Sequence, residues 1–330
     1  MDVSVIIPSY NRKDDLRRCV DSVLLQESVS IEIVIVDDCS EDDTVVFLRS
    51  NYKSVRVISC SRRFGPSHLR NIGLKAAKGS FVLFLDSDVV LPEKDIVKKM
   101  VKIMSASPNI GELGGEIPVY RGIMDQAIGK RRDFFGKNHD VISKMGAGSN
   151  YQLKDCTYLA TCNCMVRKSV ALDVGGFDPY YKFGGEDADF GYRILMKGYL
   201  NRVCFKAGVH HHRSFAGRYS DETFRYHRTR VRFNLKHFSF LRNSVIGTGD
   251  LLTAVLFYFL LGPKILFKKI RHIPIVPENY LGGWFLIKAY IDHLPEYRGL
   301  RKRKFVDFLN DEEMEKFEAG SYDRKEKGCG

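Results

Sequence analysis

Residues able to do chemistry fall into four groups along the sequence. Asp86 and Asp88 flank Ser87 directly after the apolar run Phe81 to Leu85, and Asp37-Asp38 follows the strand-like stretch Ile31 to Val36. An acidic cluster, Glu186, Asp187 and Asp189, follows Gly184-Gly185, and three histidines stand in a row at His210, His211 and His212. Side chains two apart on extended backbone point the same way, so Asp86 and Asp88 converge at the carboxyl end of a buried strand, where open α/β sheets place their ligands. That pair reads either as a metal site or as a solvated turn. For Glu186 and Asp187 the plain alternative to chemistry is helix capping, because the helix dipole favours acids in a first turn. The three histidines read either as a ligand source or as a solvated loop.

These groups need elements to hold them. Val3 to Pro8 reads as a first strand, with Ser9-Tyr10-Asn11-Arg12 leaving its carboxyl end, and helical spacing from Leu16 to Leu24 follows. Further strands are expected at Ile31 to Val36, Val55 to Cys60 and Phe81 to Leu85, the last preceded by a helix from Ser67 to Lys78 that Gly79 ends. This alternation predicts a mainly parallel sheet with right-handed crossovers. No G-x-G-x-x-G follows the first strand, which argues against a dinucleotide-binding enzyme. A helix from Glu93 to Met104 and a strand from Ile110 to Val119 come next. Arg121 to Leu153 is poor in periodicity and rich in Gly and basic residues, and reads as a mobile loop over the site. Thr157 to Val166 reads as one strand, the acidic cluster as the start of a helix running to Gly198, and Asn201 to Phe205 as a last strand.

At 330 residues, with 44% hydrophobic and 28% charged, the chain is long enough and apolar enough to bury a large core. The formal charge of +12 is concentrated: Gly191 to Arg271 holds 16 Lys/Arg against 3 Asp/Glu. The eight cysteines are scattered, and Cys162-Asn163-Cys164 lacks the second pair that a zinc knuckle needs, so free thiols in a reducing compartment are expected. Met1-Asp2 leads directly into a strand without a leader-like segment, and a cytoplasmic location is expected.

Taken in order, Val-Ser-Val-Ile-Ile-Pro-Ser-Tyr-Asn-Arg, Val-Asp-Asp-Cys-Ser-Glu-Asp-Asp-Thr, Arg-Asn-Ile-Gly-Leu-Lys-Ala-Ala-Lys-Gly, Leu-Asp-Ser-Asp and Gly-Gly-Phe-Asp with Gly-Glu-Asp-Ala-Asp-Phe-Gly-Tyr-Arg resemble the family 2 glycosyltransferases of the GT-A fold. The resemblance spans roughly residues 1 to 215. It implies an inverting enzyme that uses a nucleotide-diphosphate sugar, with a UDP-sugar favoured, and a divalent cation, Mn²⁺ or Mg²⁺. It further implies that Asp86 and Asp88 are metal ligands, with His210 as first choice and His212 as alternate for a third. By the same resemblance Asp187 is the general base with Glu186 beside it, and Pro8, Tyr10, Asp38, Arg70 and Asp86 line the nucleotide site. For Pro8 and Tyr10 a purely structural role in shaping the loop stands beside that one.

Beyond residue 220 the composition changes. Arg225, Arg228, Arg230, Arg232, Lys236 and Arg242 alternate with Phe224, Tyr226, Phe233 and Phe238, and lead into the apolar run Leu251 to Gly262. Twelve residues fall short of the ~20 that a membrane-spanning helix needs. Residues 1–220 are therefore expected to form the catalytic domain, and 221–330 a basic, aromatic helical extension. Lys264, Lys268, Lys269 and Arg271 would then sit at phosphate level of an anionic membrane, with Phe257, Tyr258, Phe259, Tyr280 and Trp284 at its boundary. The alternative is a buried helical hairpin packed on the catalytic domain or on a second subunit. No nucleic-acid module is present. The expected acceptor is a lipid-linked or cell-surface glycan, reached from the inner face of the membrane. Competing readings are a GT-A nucleotidyltransferase, which would leave Glu186-Asp187 without a task, and an inactive membrane-associated glycan-binding scaffold.

Overall fold

The computed structural model describes residues 1–116, 129–133, 138–141, 153–181, 184–212, 222–238, 240–256, 288–289 and 291–292. Apart from the short β5, which was not expected, the first half alternates as expected: β1 (Val3–Ser9), α1 (Lys13–Leu24), β2 (Ile31–Asp37), α2 (Thr44–Asn51), β3 (Val55–Ser59), α3 (Pro66–Ala76), β4 (Phe81–Leu85), β5 (Val89–Val90), α4 (Ile96–Ala106) and β6 (Ile110–Gly115). Then come β7 (Gly129–Arg132), β8 (Asn138–Asp140), β9 (Leu153–Cys156), β10 (Tyr158–Leu159), β11 (Asn163–Arg167), α5 (Lys168–Asp173), α6 (Glu186–Met196), β12 (Leu200–Cys204), β13 (His210–His211), α7 (Glu222–His237) and α8 (Phe240–Leu256).

Eight strands form the central sheet in the order β3-β2-β1-β4-β11-β6-β12-β9. The four at the amino-terminal side are parallel, and β11 enters antiparallel between β4 and β6. Both faces are covered, which explains the unbroken apolar runs. Along β1, Val3, Val5 and Ile7 point to the face packed by α1 and α4, whereas Ile6 points to the opposite face with Val82 and Phe84 of β4. The period of two thus sorts one run of residues into two cores.

Three expectations need revision. Residues 129–132 and 138–140, placed in a mobile loop by their weak pattern, are strands that pair with β10 in a separate three-stranded sheet. The expected single strand from Thr157 to Val166 is two, because Tyr158-Leu159 pairs with β7 while Asn163–Arg167 pairs with β4 and β6. One continuous strand cannot serve both sheets, and the turn at 160–162 makes the change.

The third concerns the basic segment, where a membrane-facing extension was expected beside the alternative of a buried hairpin, and α7 follows the alternative. Arg230, Arg232 and Lys236 of α7 are buried, not displayed, and Phe233 and Phe238 share a cluster with Tyr158, Ala188 and Ile246. Arg232 and Lys236 turn inward because Asp178 and Asp189 of the preceding segment pair with them. The membrane-facing residues expected from Phe257 to Trp284 lie outside the described residues. Among the described residues, no helix is long and apolar enough to cross a membrane.

Candidate active site

The carboxyl ends of β1, β2 and β4 lie side by side in the sheet, and the residues that follow them gather there. After β2, Asp38 is buried, and its carboxylate accepts hydrogen bonds from the backbone N–H groups of Phe64 (2.6 Å) and Gly65 (3.0 Å). That fixes the loop leading into α3. Asp37 beside it accepts from the Ser40 N–H at 2.8 Å. Pro8, one residue before the end of β1, pairs with Val36, and the ring of Tyr10, just beyond the strand, lies under the Arg63 guanidinium at 3.6 Å. Asn11 and Cys39 hold positive φ angles of 50° and 63° in the loops leaving these two strands. Non-glycine residues seldom adopt that region, and such outliers gather at functional loops.

Arg70 on α3 is 3% exposed and joins two segments far apart in sequence. Its Nη2 donates to Asp86 Oδ1 at 2.8 Å and its Nη1 to Glu186 Oε1 at 3.1 Å. Burial alone would lower the guanidinium's proton affinity, but the two carboxylates outweigh it and hold Arg70 above its usual value. Glu186 is buried with it, so the first turn of α6 is tied to the end of β4. Gly185 starts that helix with φ of 91°, and a side chain there would meet Thr229 of α7 at 3.0 Å. Glycine meets both demands, the left-handed backbone and the close approach.

Asp88 faces a histidine, although not the one expected. The Nε2 of His211 lies 3.1 Å from Asp88 Oδ1. Antiparallel pairing sets His210 against Val90 and His211 against Val89, and the His212 N–H donates to the Asp88 carbonyl at 2.8 Å. Alternation along this short strand then turns His211 toward the carboxylates. His210 and His212 are exposed on the other side, with ring centroids 6.5 Å apart. The expected placement of His210 or His212 beside Asp86 and Asp88 is therefore replaced by His211. One ligand atom from each of Asp86, Asp88 and His211 lies within 4.8 Å of the others.

Asp187 is half-buried beside Glu186, and its Oδ1 accepts from the Ala188 N–H at 2.7 Å. Burial and then the Glu186 charge push its carboxyl up to about 7, against the opposing pull of the Ala188 N–H, Arg70 and Arg132. A freely ionised carboxylate, as its side-chain type alone suggests, is thus replaced by one that titrates near neutrality. Arg132, which sequence reading missed, comes from β7 in the segment that looked like a loop. Arg63 and His211 were missed too, the first for lack of any pattern and the second by strand parity.

Residues 4–175, more than half the chain, match the family model described as Glycosyl transferase family 2. The succinoglycan biosynthesis protein ExoO of Rhizobium meliloti is 37% identical over 108 residues, covering 32% of this chain and 30% of the relative. The O-antigen chain rhamnosyltransferase RfbN of Salmonella typhimurium is 24% identical over 220 residues, 66% of this chain and 68% of the relative. In three curated relatives of 37 to 39% identity the matched part is a third or less of this chain and 26 to 36% of the relative. Among solved structures, the mannosyltransferase PcManGT from Pyrobaculum calidifontis, in complex with GDP-Man and Mn²⁺, superposes with a TM-score of 0.54 at 17% identity, covering 88% of this chain and 86% of that one. This likeness shows a shared fold, the GT-A arrangement of a mostly parallel sheet between helices. Strand order, motif order and the extent of the family match agree, and the chain belongs to glycosyl transferase family 2.

Proposed function

We propose that the chain is an inverting glycosyltransferase that moves a sugar from a nucleotide-diphosphate sugar to a hydroxyl of an acceptor glycan in a single displacement. The observation that carries this is the Arg70 bridge, which joins Asp86 after β4 to Glu186 at the start of α6 and so makes one site of two acidic groups. Asp187 takes the proton of the acceptor hydroxyl as its oxygen bonds to the anomeric carbon. The bond from that carbon to the diphosphate oxygen breaks, and its electron pair leaves with the nucleotide diphosphate. A base that titrates near the working pH is well matched to this task, since enough of it is ionised and its proton affinity is still high. Glu186, fixed by Arg70, seats the acceptor beside Asp187. Pro8, Tyr10 and Asp38 form the nucleotide end, Arg70 supplies positive charge toward the phosphates, and Asp86 would face them only through a bound divalent cation.

Asp86, Asp88 and His211 fit a divalent cation, since two carboxylates and an imidazole already converge to within ligand reach. When bound, Mn²⁺ or Mg²⁺ there would offset the charge that builds on the departing diphosphate. The presence of Mn²⁺ with GDP-Man in PcManGT supports this. The names of ExoO and RfbN support a growing surface polysaccharide as acceptor. Docking of residues 257–284 on the inner face of an anionic membrane belongs to the same proposal. Flotation of the full chain with phosphatidylglycerol vesicles supports that part, and a chain that stays at the bottom of the gradient removes it.

The reaction class is tested with UDP-glucose, UDP-GlcNAc, UDP-galactose, GDP-mannose and dTDP-rhamnose, each with Mn²⁺ or Mg²⁺. At least one should be hydrolysed slowly in the absence of acceptor, and EDTA should stop it. Intact donors throughout, with either metal, would contradict the proposal.

A further inference from the structure

The C-terminal helices are joined to the catalytic domain through a buried set of charges that the reaction itself does not use. Asp178, in the turn before α6, accepts from Arg232 Nη2 at 3.0 Å and from Lys236 Nζ at 3.1 Å. Asp189, on the first turn of α6, accepts from Lys236 Nζ at 2.6 Å and from His237 Nε2 at 2.8 Å, and pairs with Arg193 at 2.8 Å. Arg193 in turn donates to the carbonyls of Val174 and Gly176, so the turn through Gly175 and Gly176, both at positive φ, is part of the same set. Asp178 and Asp189 are almost wholly buried, as are Arg232 and Lys236. Thr229, one turn earlier on α7, lies against Gly185, the residue that starts α6. The Arg232 guanidinium also covers the Tyr180 ring at 3.7 Å.

Such a set is costly to desolvate, and two carboxylates with a lysine between them make little sense as a source of stability alone. They do make sense as a fixture. Lys236 reaches both aspartates, so it sets the spacing between the turn that carries Asp178 and the helix that carries Asp189. Asp189 is two residues from Asp187, and Glu186 is anchored from the other side by Arg70. The first turn of α6 is therefore held between two buried cations, Arg70 on α3 and Lys236 on α7.

We propose that α7 is a positioning element of the active site: Lys236, with His237 and Arg232, clamps Asp189 and Asp178 so that Asp187 keeps its place relative to Arg70 and the Asp86–Asp88 end of β4. This goes beyond the assignment of Asp187 as base, and rests on it. Donor binding should not depend on the clamp, because Asp38, Arg70 and the carboxylates after β4 are carried by other elements. Catalysis should depend on it, since displacing a reacting group by about 1 Å can cost on the order of 10²-fold.

The test uses the full chain and the sugar nucleotide that it hydrolyses fastest with Mn²⁺. In Lys236→Met, kcat for hydrolysis should fall about 10²-fold while KM for the donor stays within about twofold, and Lys236→Arg should regain most of the loss. Unchanged kcat in a folded Lys236→Met, kcat and KM failing together, or Lys236→Arg as poor as Lys236→Met would overturn the proposal. If Lys236→Met does not fold by circular dichroism, His237→Leu is read by the same split, with about a tenfold fall in kcat expected and an unchanged kcat overturning it. Asp187→Asn is measured alongside. Full activity there refutes the base assignment, whereas an inactive Asp187→Asn with an unaffected Lys236→Met refutes only the clamp.

Discussion

The Nε2 of His211 and the Oδ1 of Asp88 face each other at 3.1 Å across two strands of only two residues each. The contact depends on register: Asp88 immediately precedes β5, and β13 pairs with β5 so that the middle of three histidines turns inward. A shift of one residue would present His210 or His212 instead.

The first prediction follows from that parity. His211→Ala should weaken Mn²⁺ binding by about 10- to 100-fold, the scale on which a lost metal-site interaction is felt. His210→Ala and His212→Ala should leave it within about twofold. Mn²⁺ titration followed by electron paramagnetic resonance reads all three, and a larger loss in His210→Ala than in His211→Ala would move the assignment back to the outer histidines.

A second concerns Arg70. Arg70→Met leaves Glu186 buried without its cation, and removing one partner of a buried pair costs roughly 3 kcal/mol. Asp86 adds little, because at 34% exposed it can turn to solvent. Urea unfolding should show the loss, and donor affinity should fall with it. Unchanged stability would mean that Glu186 finds another partner.

A third concerns pH. A base must be ionised to act, so the rate should rise with pH and level off above about 7, where Asp187 has given up its proton. Arg132 is among the cations that hold this carboxyl down, so Arg132→Met should shift the midpoint upward. A midpoint near that of an ordinary aspartate, or a shift downward in Arg132→Met, would contradict the account.

A fourth is a matter of stability alone. Glu112 on β6 is wholly buried, accepts a contact from the Cys164 thiol at 2.9 Å, and is pushed by burial up to about 8. Between its ordinary value and 8 it keeps a proton in the folded chain that the unfolded chain has lost. Stability from this group is therefore complete at low pH and falls as pH rises through that window. Melting temperatures measured from pH 5 to 9 should decline, and Glu112→Gln should flatten the decline.

Much of this was readable in the sequence where a local rule and a global one coincide. Phe81 to Leu85 is uniformly apolar because both faces are covered, and it ends in acid because the carboxyl end of the sheet is where the site lies. His211 was not readable, since extended backbone states that alternate histidines share a side without stating which side faces Asp88. Nor were Lys236 and Arg232: a basic, aromatic stretch looks the same whether its partners are lipid phosphates or two aspartates some fifty residues earlier. Residues 129–132 and 138–140 failed for another reason. Their strands are short and pair mainly with each other and with Tyr158-Leu159, so each carries too few residues for a period of two to stand out.

The central claim, a single displacement at the joined acidic groups, is tested most directly by the anomeric configuration of the released sugar. Proton NMR during the first minutes of donor hydrolysis, before mutarotation, should show the anomer opposite to the donor's, so that an α-linked sugar nucleotide yields the β sugar first. Initial release of the α sugar would contradict a single displacement with Asp187 as base.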